Sequence, residues 1–345
     1  MTATHISSRV SDRVMLAHGG GGELTSELIE AHFLPRINNP ALAPLADGAI
    51  VPIGSDQSVV FTTDSYVVTP LEFPGGDIGR LAVCGTVNDL AVMGAEPLGL
   101  SLGVIMEEGL SLDVLDRVVA SIARAAREAR VPIVTGDTKV IERRGNEGLF
   151  LNTAGIGRLR PGLRLGTERV ESGDVILFSG RIADHGLTIM SVRAGIAFDS
   201  DLRSDAAPLA DLISALSASG ADVKFMRDPT RGGVAGVLAD MCLRSGYSIE
   251  INEAAIPISP TARHAAEMLG LDPLTVANEG KLVCVVRRED AAKAIKAMQD
   301  HPLGREAAIV GRVTDAEPPL VELRTRAGGR RIVQRPYGEE LPRIC

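Results

Sequence analysis

From residue 59 onward the apolar positions fall into short β-rich runs that alternate with stretches of helical spacing: "SVVFTTDSYVV", "DIGRLAVCGTVNDLAVMGA", "PLGLSLGVIM", "SLDVLDRVVASIARAAREA", "VPIVTGD" and "GLFLNTAGIG". That alternation predicts an α/β unit. Its second helix opens after Ser111 as N-cap and sets Leu112, Leu115, Val118, Val119 and Ile122 on one face, an ordinary core face. Between 157 and 173 the text turns polar and glycine-containing ("GRLRPGLRLGTERVESG"), the composition of a connection between domains. A second unit follows, with strand "DVILFSG", helices near 186–194, 208–218, 231–244 and 260–270, strand "KLVCVV", helix "DAAKAIKAMQ" and strand "AAIVGRV". Past residue 325 the apolar period is lost, and "TRAGGRRIVQRPYGEELPRIC" reads as a tail with at most one more strand at "RRIVQ". The division expected is an arm at 1–45 holding a glycine-rich loop, domains at 46–160 and 168–325, and a mobile tail at 326–345. Neither an internal repeat nor a low-complexity segment interrupts it.

Composition narrows the function. At 345 residues, 45% of them hydrophobic, the chain has material for one large core or two ordinary ones. A net charge of −8 without a basic block, and only seven Phe, three Tyr and no Trp, argue against a nucleic-acid partner. There is no secretion signal at the start and no apolar run near the roughly 20 residues that cross a bilayer, so a soluble cytoplasmic protein with no membrane partner is expected. The four cysteines, at 84, 242, 284 and 345, form no CxxC pair, and the first three sit in apolar text as small buried hydrophobes. Cys345, closing "LPRIC", has no such home. It is either an accident of the terminus or a swinging chemical arm.

Several polar residues stand where packing alone does not ask for them. Asp89 lies inside the most apolar helical text, where a lone carboxylate needs a cation or strong donors beside it, or a hydrogen bond to nearby backbone. Asp47, Asp64 and Asp137 close or precede apolar runs, the strand ends where α/β proteins place ligand groups, and Lys139 follows at once. Four such acids with a lysine suit Mg²⁺ and phosphates. In "AHGGGGELTSELIEAHF", Gly19, Gly20, Gly21 and Gly22 follow His18 and lead into a helix, so backbone N–H groups can close on phosphate oxygens; a plain linker is the other reading, and no Walker lysine follows. "RDPTRGG" sets Asp228, Pro229 and Thr230 before a helix, and "ANEGKLV" flanks a glycine with Glu279 and Lys281 just before a buried strand. Asp184 and His185 in "ADHG" are a weaker signal.

In order, "LAHGGGGE", "FTTDSYVVTPLEFPGGDIGRLAVCGTVNDLAVMGAEP", "VTGDTKV", "LFLNTAGIG", "DPTRGG", "DPLTVANEGKLV" and the final "PRIC" resemble the HypE family of hydrogenase maturation proteins. These are carbamoyl dehydratases within the aminoimidazole ribonucleotide synthetase-like superfamily. The likeness spans nearly the whole chain, with one departure: relatives often show two adjacent acids where this chain has Ala46 and Asp47. The resemblance implies a two-domain α/β (α+β) aminoimidazole ribonucleotide synthetase-like fold with a flexible C-terminal tail, and a homodimer made by pairing the N-terminal sheets. It implies ATP and Mg²⁺ as cofactors, a carbamoyltransferase that loads a carboxamide onto Cys345, and an iron-binding scaffold complex that receives cyanide for nickel-iron hydrogenase. The implied roles are Cys345 as carrier, Lys139 for phosphate contact or carboxamide polarisation, and Glu279 as base. His18, Gly19, Gly20, Gly21, Gly22, Asp64, Asp89, Asp137, Lys139, Asp228 and Thr230 are implied at the nucleotide, with Asp47, Asp64, Asp89 and Asp137 at the metal.

The tail has the length for this. Nine residues beyond Pro336 span up to about 30 Å at roughly 3.3 Å each. The neighbouring α-carboxylate disfavours a thiolate at Cys345 and Arg343 partly opposes it, so activation is expected only on docking. A different ATP-using enzyme of the superfamily, and a non-catalytic scaffold that presents its tail, are the rival readings.

Overall fold

A computed structural model describes residues 13–54, 57–143, 148–196, 202–338 and 344–345. The chain opens with a 3₁₀ turn at Leu16–Gly19 and helix α1 (Glu23–Leu28), which continues through a π turn into α2 (Leu34–Ile37). The first unit then runs β1 (Ala49–Pro52), β2 (Ser58–Tyr66), the short β3 (Glu72–Phe73) and β4 (Gly76–Asp77), α3 (Ile78–Val92), β5 (Ala95–Glu107), α4 (Leu112–Ala129), β6 (Ile133–Ile141) and β7 (Leu149–Leu159). The second runs β8 (Val175–Phe178), α5 (Asp184–Arg193), α6 (Ala210–Ala218), β9 (Val223–Arg227), α7 (Gly233–Ser245), β10 (Ser248–Asn252), α8 (Pro260–Leu269), β11 (Val283–Val286), α9 (Ala291–Gln299), β12 (Ala308–Thr314), β13 (Val321–Arg324) and β14 (Arg330–Ile332). This is the α/β architecture in two units that the pattern predicts.

The first sheet has the order β1-β2-β7-β5-β6, antiparallel except for the parallel pair β5 and β6. Alternation along β2 puts Val60, Thr62 and Tyr66 against α3 and leaves Phe61 and Thr63 on the open face. The second sheet has the order β14-β13-β10-β12-β8-β11-β9, with β10 and β13 parallel and the other neighbours antiparallel. Its buried strands β8 and β11 are apolar throughout because helices cover both faces.

Helix α3 explains how the units join. Asp77 caps it by accepting from the Arg80 N–H at 3.0 Å, and thirteen of its fifteen residues are buried, so it shows no polar face. It touches the first sheet, α4, α6 and β9 at once. Close approach is bought with glycine: a Cβ on Gly85 would lie 2.2 Å from the Tyr66 hydroxyl oxygen.

Two expectations differ from the structure. On α4 the buried arc is Val118, Ser121, Ile122 and Ala125, while Leu112 and Val119 are exposed, because α3 covers only one narrow side of that helix. The segment after 325 is also more anchored than a tail: β14 pairs with β13, Val333 is buried, and the carbonyls of Pro336 and Tyr337 accept from the N–H groups of Glu23 and Leu24, each at 2.9 Å. No helix among the described residues is long and apolar enough to cross a membrane.

Candidate active site between the two units

Asp89 rides on the buried α3, and Thr62 on β2 stands over it: the Thr62 hydroxyl oxygen lies 2.8 Å from Asp89 Oδ2 and 2.7 Å from the Asp47 carbonyl oxygen, with one proton to give. The end of β9 brings Asp228 from the second unit. The carboxylate oxygens of Asp47, Asp89 and Asp228 lie within 4.8 Å of one another. Among the described residues Asp47 pairs with one cation, Arg227 Nε at 3.0 Å, and Arg227 is shared with Asp240 at 3.2 Å.

Burial, reinforced by the neighbouring acids, pushes the Asp89 carboxyl well above its usual range and that of Asp228 up to about 8. Asp64, on the same face of β2 as Thr62, is also raised by burial, with Arg231 opposing. Glu279 is the extreme case. It is buried, its Oε1 has no hydrogen-bond partner among the described residues, and burial, then Asp228, Asp64 and Asp205, raise its proton affinity against the pull of Arg231. Carboxyls this crowded, and an orphaned oxygen, mark a place short of positive charge. An all-oxygen donor set of this kind fits a hard divalent cation.

The loop of Glu279 is held by groups from both units: Asn88 Nδ2 donates to the Glu279 carbonyl at 3.2 Å, and the Glu279 N–H donates to Asp205 Oδ1 at 3.0 Å. Asp205 also pairs with Lys281 at 3.2 Å. On the far side Arg231 Nη1 donates to the Gly19 carbonyl at 3.3 Å. A Cβ on Gly21, whose φ is +74°, would meet Arg231 Cβ at 2.9 Å, and one on Gly22 would meet the Pro336 carbonyl oxygen at 2.2 Å. The glycine run therefore seats Arg231 and the approach to the tail closely. Gly20 and Gly21 spend their N–H groups on the Ala17 carbonyl and the Thr25 hydroxyl, and His18 is buried with Nδ1 accepting from the Met15 N–H at 2.9 Å. Thr230 contributes a carbonyl to the start of α7.

The chain's end is in this place. Ile344 is buried, its carbonyl accepting from His185 Nε2 at 2.9 Å, and a terminal oxygen of Cys345 accepts from the Val67 N–H at 3.0 Å. The negative charge at Cys345 is the largest influence raising the proton affinity of Arg231. Cys84, Cys242 and Cys284 are buried, and burial pushes the thiols of Cys84 and Cys284 up to about 12; Cys345 alone is only half-buried.

Asp137 and Lys139 are not brought to the cluster within one chain. They pair with each other at 2.9 Å on the exposed edge strand β6, three strands from β2, about 14 Å at about 4.8 Å per strand. Register aligns Asp137 with Gly103 and Asn152, and Lys139 with Ile105, on the face that carries Phe61 and Ile156, opposite α3. Asp228, expected at the nucleotide, stands with Asp47 and Asp89 in the carboxylate trio, which neither Asp64 nor Asp137 joins within one chain. Arg231, Arg227, Asn88 and Asp205 were missed from the sequence, and His185 was undervalued. Arg231 lies within the "DPTRGG" text, the one signal that pointed to it.

Residues 45–159 and 171–321 match the AIR synthase related protein N-terminal and C-terminal domains, respectively. Carbamoyl dehydratase HypE of Azotobacter vinelandii is 47% identical over 332 residues, covering 96% of this chain and 97% of that protein. A HypE solved in a HypE–HypF complex is similar with a TM-score of 0.84 at 45% identity, covering 90% of this chain and 99% of that one. A HypE solved in complex with ATP is similar with a TM-score of 0.81 at 43% identity, covering 96% and 100%. With the two-unit fold, the buried acids and this identity over almost its whole length, the chain belongs to the carbamoyl dehydratase HypE family of AIR synthase-related proteins.

Proposed function

We propose that the chain uses ATP to dehydrate an S-carboxamide carried on its own Cys345 to a thiocyanate, the source of cyanide ligands for the iron of nickel-iron hydrogenase. The observation that carries this reading is the seat of the last two residues: Ile344 buried, Cys345 beside Arg231, and Glu279 in the same charged environment. A carbamoyltransferase loads the sulfur and an iron-binding scaffold complex takes the product; that a HypE was solved in complex with a second protein, HypF, supports a protein partner. The setting is the cytoplasm, where thiols stay reduced.

An amide oxygen is a poor leaving group, so the γ-phosphoryl group of ATP is moved onto the carboxamide oxygen and the C–O bond then breaks with phosphate departing. Two N–H protons leave, the first as phosphorylation fixes a C=N bond and the second as the triple bond forms. Glu279 takes a proton in its ionised form, which Arg231 favours: burial raises its proton affinity, so that carboxylate is a stronger base than an exposed one, and Asn88 and Asp205 hold its main chain still. Arg231 balances charge beside it. Asp47, Asp89 and Asp228 are the residues that would hold Mg²⁺, which when bound neutralises phosphate charge, and Asp64 and the glycine loop border the nucleotide. The open face of the first sheet, with Phe61, Ile105 and Ile156 exposed, pairs two chains into a homodimer. Lys139 and Asp137 lie on that face, so their part in the reaction is played across the dimer.

ATP hydrolysis by three proteins tests the reading: carbamoylated, unmodified, and lacking Cys345. Phosphate release is expected from the first alone, one per carboxamide. Equal turnover by all three would fit another ATP-using enzyme and overturn the proposal.

A further inference from the structure

The contacts that seat the tail are made by its penultimate residue and its main chain. Ile344 is 3% exposed and joins the core cluster that Val68 and Phe73 of the first unit share with Ile189, Ala206 and Ala277 of the second. Its carbonyl is purely an acceptor, so His185 Nε2 carries the proton in their 2.9 Å contact. The other ring nitrogen, Nδ1, lies 2.8 Å from the Ser204 hydroxyl oxygen. Burial holds the imidazole neutral at ordinary pH, so Nδ1 accepts from Ser204, whose oxygen in turn accepts the Ala206 N–H at 3.2 Å.

The ring is fixed on every side. Phe73 meets it edge-on, with centroids 5.7 Å apart and planes at 78°. Ser204 is placed by its own N–H, which donates to the Pro74 carbonyl at 2.9 Å, and the approach of these two segments needs glycine at 75: with φ at +89°, a Cβ there would lie 2.7 Å from the Ser204 carbonyl oxygen. Residues 73–75 come from the first unit and 185 and 204 from the second. The seat therefore exists only where the two units meet.

From this geometry we infer that His185, oriented by Ser204, and the pocket around Ile344 form a latch that docks the tail by its penultimate residue, independently of what the Cys345 sulfur carries. The inference deepens the function proposed above and rests on it for its meaning. In that reaction the sulfur bears in turn a proton, a carboxamide and a nitrile, groups that share no single recognition contact. A latch one residue away fixes the position of the sulfur in all three states. His185 is a positioning residue, and Ile344 sets the specificity of the seat for an aliphatic side chain.

The test uses full-length protein with His185→Ala, His185→Gln, Ile344→Ser or Ile344→Val, and three readouts: alkylation rate of Cys345 by iodoacetamide without ATP, loading of the carboxamide by the carbamoyltransferase, and loss of water on adding ATP. Removing the Nε2 donor is expected to speed alkylation by about tenfold. Replacing the buried isoleucine with serine is expected to do so by about tenfold or more. His185→Gln, whose amide N–H can reach the same carbonyl, stays within about twofold of the unaltered protein, and Ile344→Val, which loses one buried methylene, speeds alkylation by only about fourfold. Loading is undiminished, because the undocked tail serves it, while water loss slows with the same ranking. A merely structural His185 would impair loading and dehydration together. Unchanged alkylation in both His185→Ala and Ile344→Ser overturns the latch. If the unaltered carbamoylated protein never loses water, the function is what fails, and the alkylation series still decides the latch.

Discussion

Glu279 and Asp228 are acids that the fold makes reluctant to ionise, and each carries a prediction. Glu279→Gln keeps the size of the side chain and removes the base. Loading of Cys345 is expected to persist while water loss falls by about 10² to 10⁴, the range for a general base, as read by intact mass against time. Asp228 is pushed up to about 8, and Asp89 is raised too, so the folded chain keeps protons that the unfolded chain has already lost. The folded state then binds more protons than the unfolded one, and the stability of metal-free protein falls as pH rises from about 4 to about 8. Urea midpoints across that window should show the decline, and excess Mg²⁺ should flatten it by neutralising the trio. A metal-free midpoint that rises with pH, with the same slope in Asp228→Asn, would contradict this.

The elements were legible in the sequence wherever one periodicity ran long enough. The text of α3, β5 and β7 reads directly as helix and strand, and those elements appear there. Strands β9 and β13 were not legible, because "VKFMR" and "VELR" mix charge into short runs; Lys224 is buried in β9 only because Asp174 and Glu171 pair with it. The face that Asp137 takes was hidden for a related reason. "IVTGDTKVI" does not alternate, so nothing in it tells which face of an edge strand a side chain takes. The pocket itself was half legible: Asp89 stood out as a charge in apolar text, whereas Arg231 and Asn88 look ordinary until two distant segments meet. Packing of α3 gives a test at this scale. Gly85→Ala drives a Cβ into Tyr66, and overpacking should cost about 1 to 3 kcal/mol of stability in a urea titration, where an unaltered midpoint would show that the helix has slack.

At the scale of the molecule, both units contribute to one pocket: Asp89, Asn88 and Val67 from the first, Asp228, Glu279 and His185 from the second. The open face of the first sheet leaves Phe61, Ile105 and Ile156 uncovered, with Lys139 and Asp137 beside them. On the proposed homodimer, Ile105→Glu places a charge in the contact and is expected to shift the protein from dimer to monomer in sedimentation, with dehydration falling if Lys139 acts across the interface; a protein that is monomeric before the change, or an unchanged dimer after it, would remove that face as the contact. The most direct test of the whole account follows the oxygen atom. With a heavy-oxygen carboxamide on Cys345 and ATP added, the C-terminal peptide should lose one water and the label should emerge in inorganic phosphate. Label that stays on the peptide, or leaves in solvent water while phosphate remains unlabelled, would contradict it.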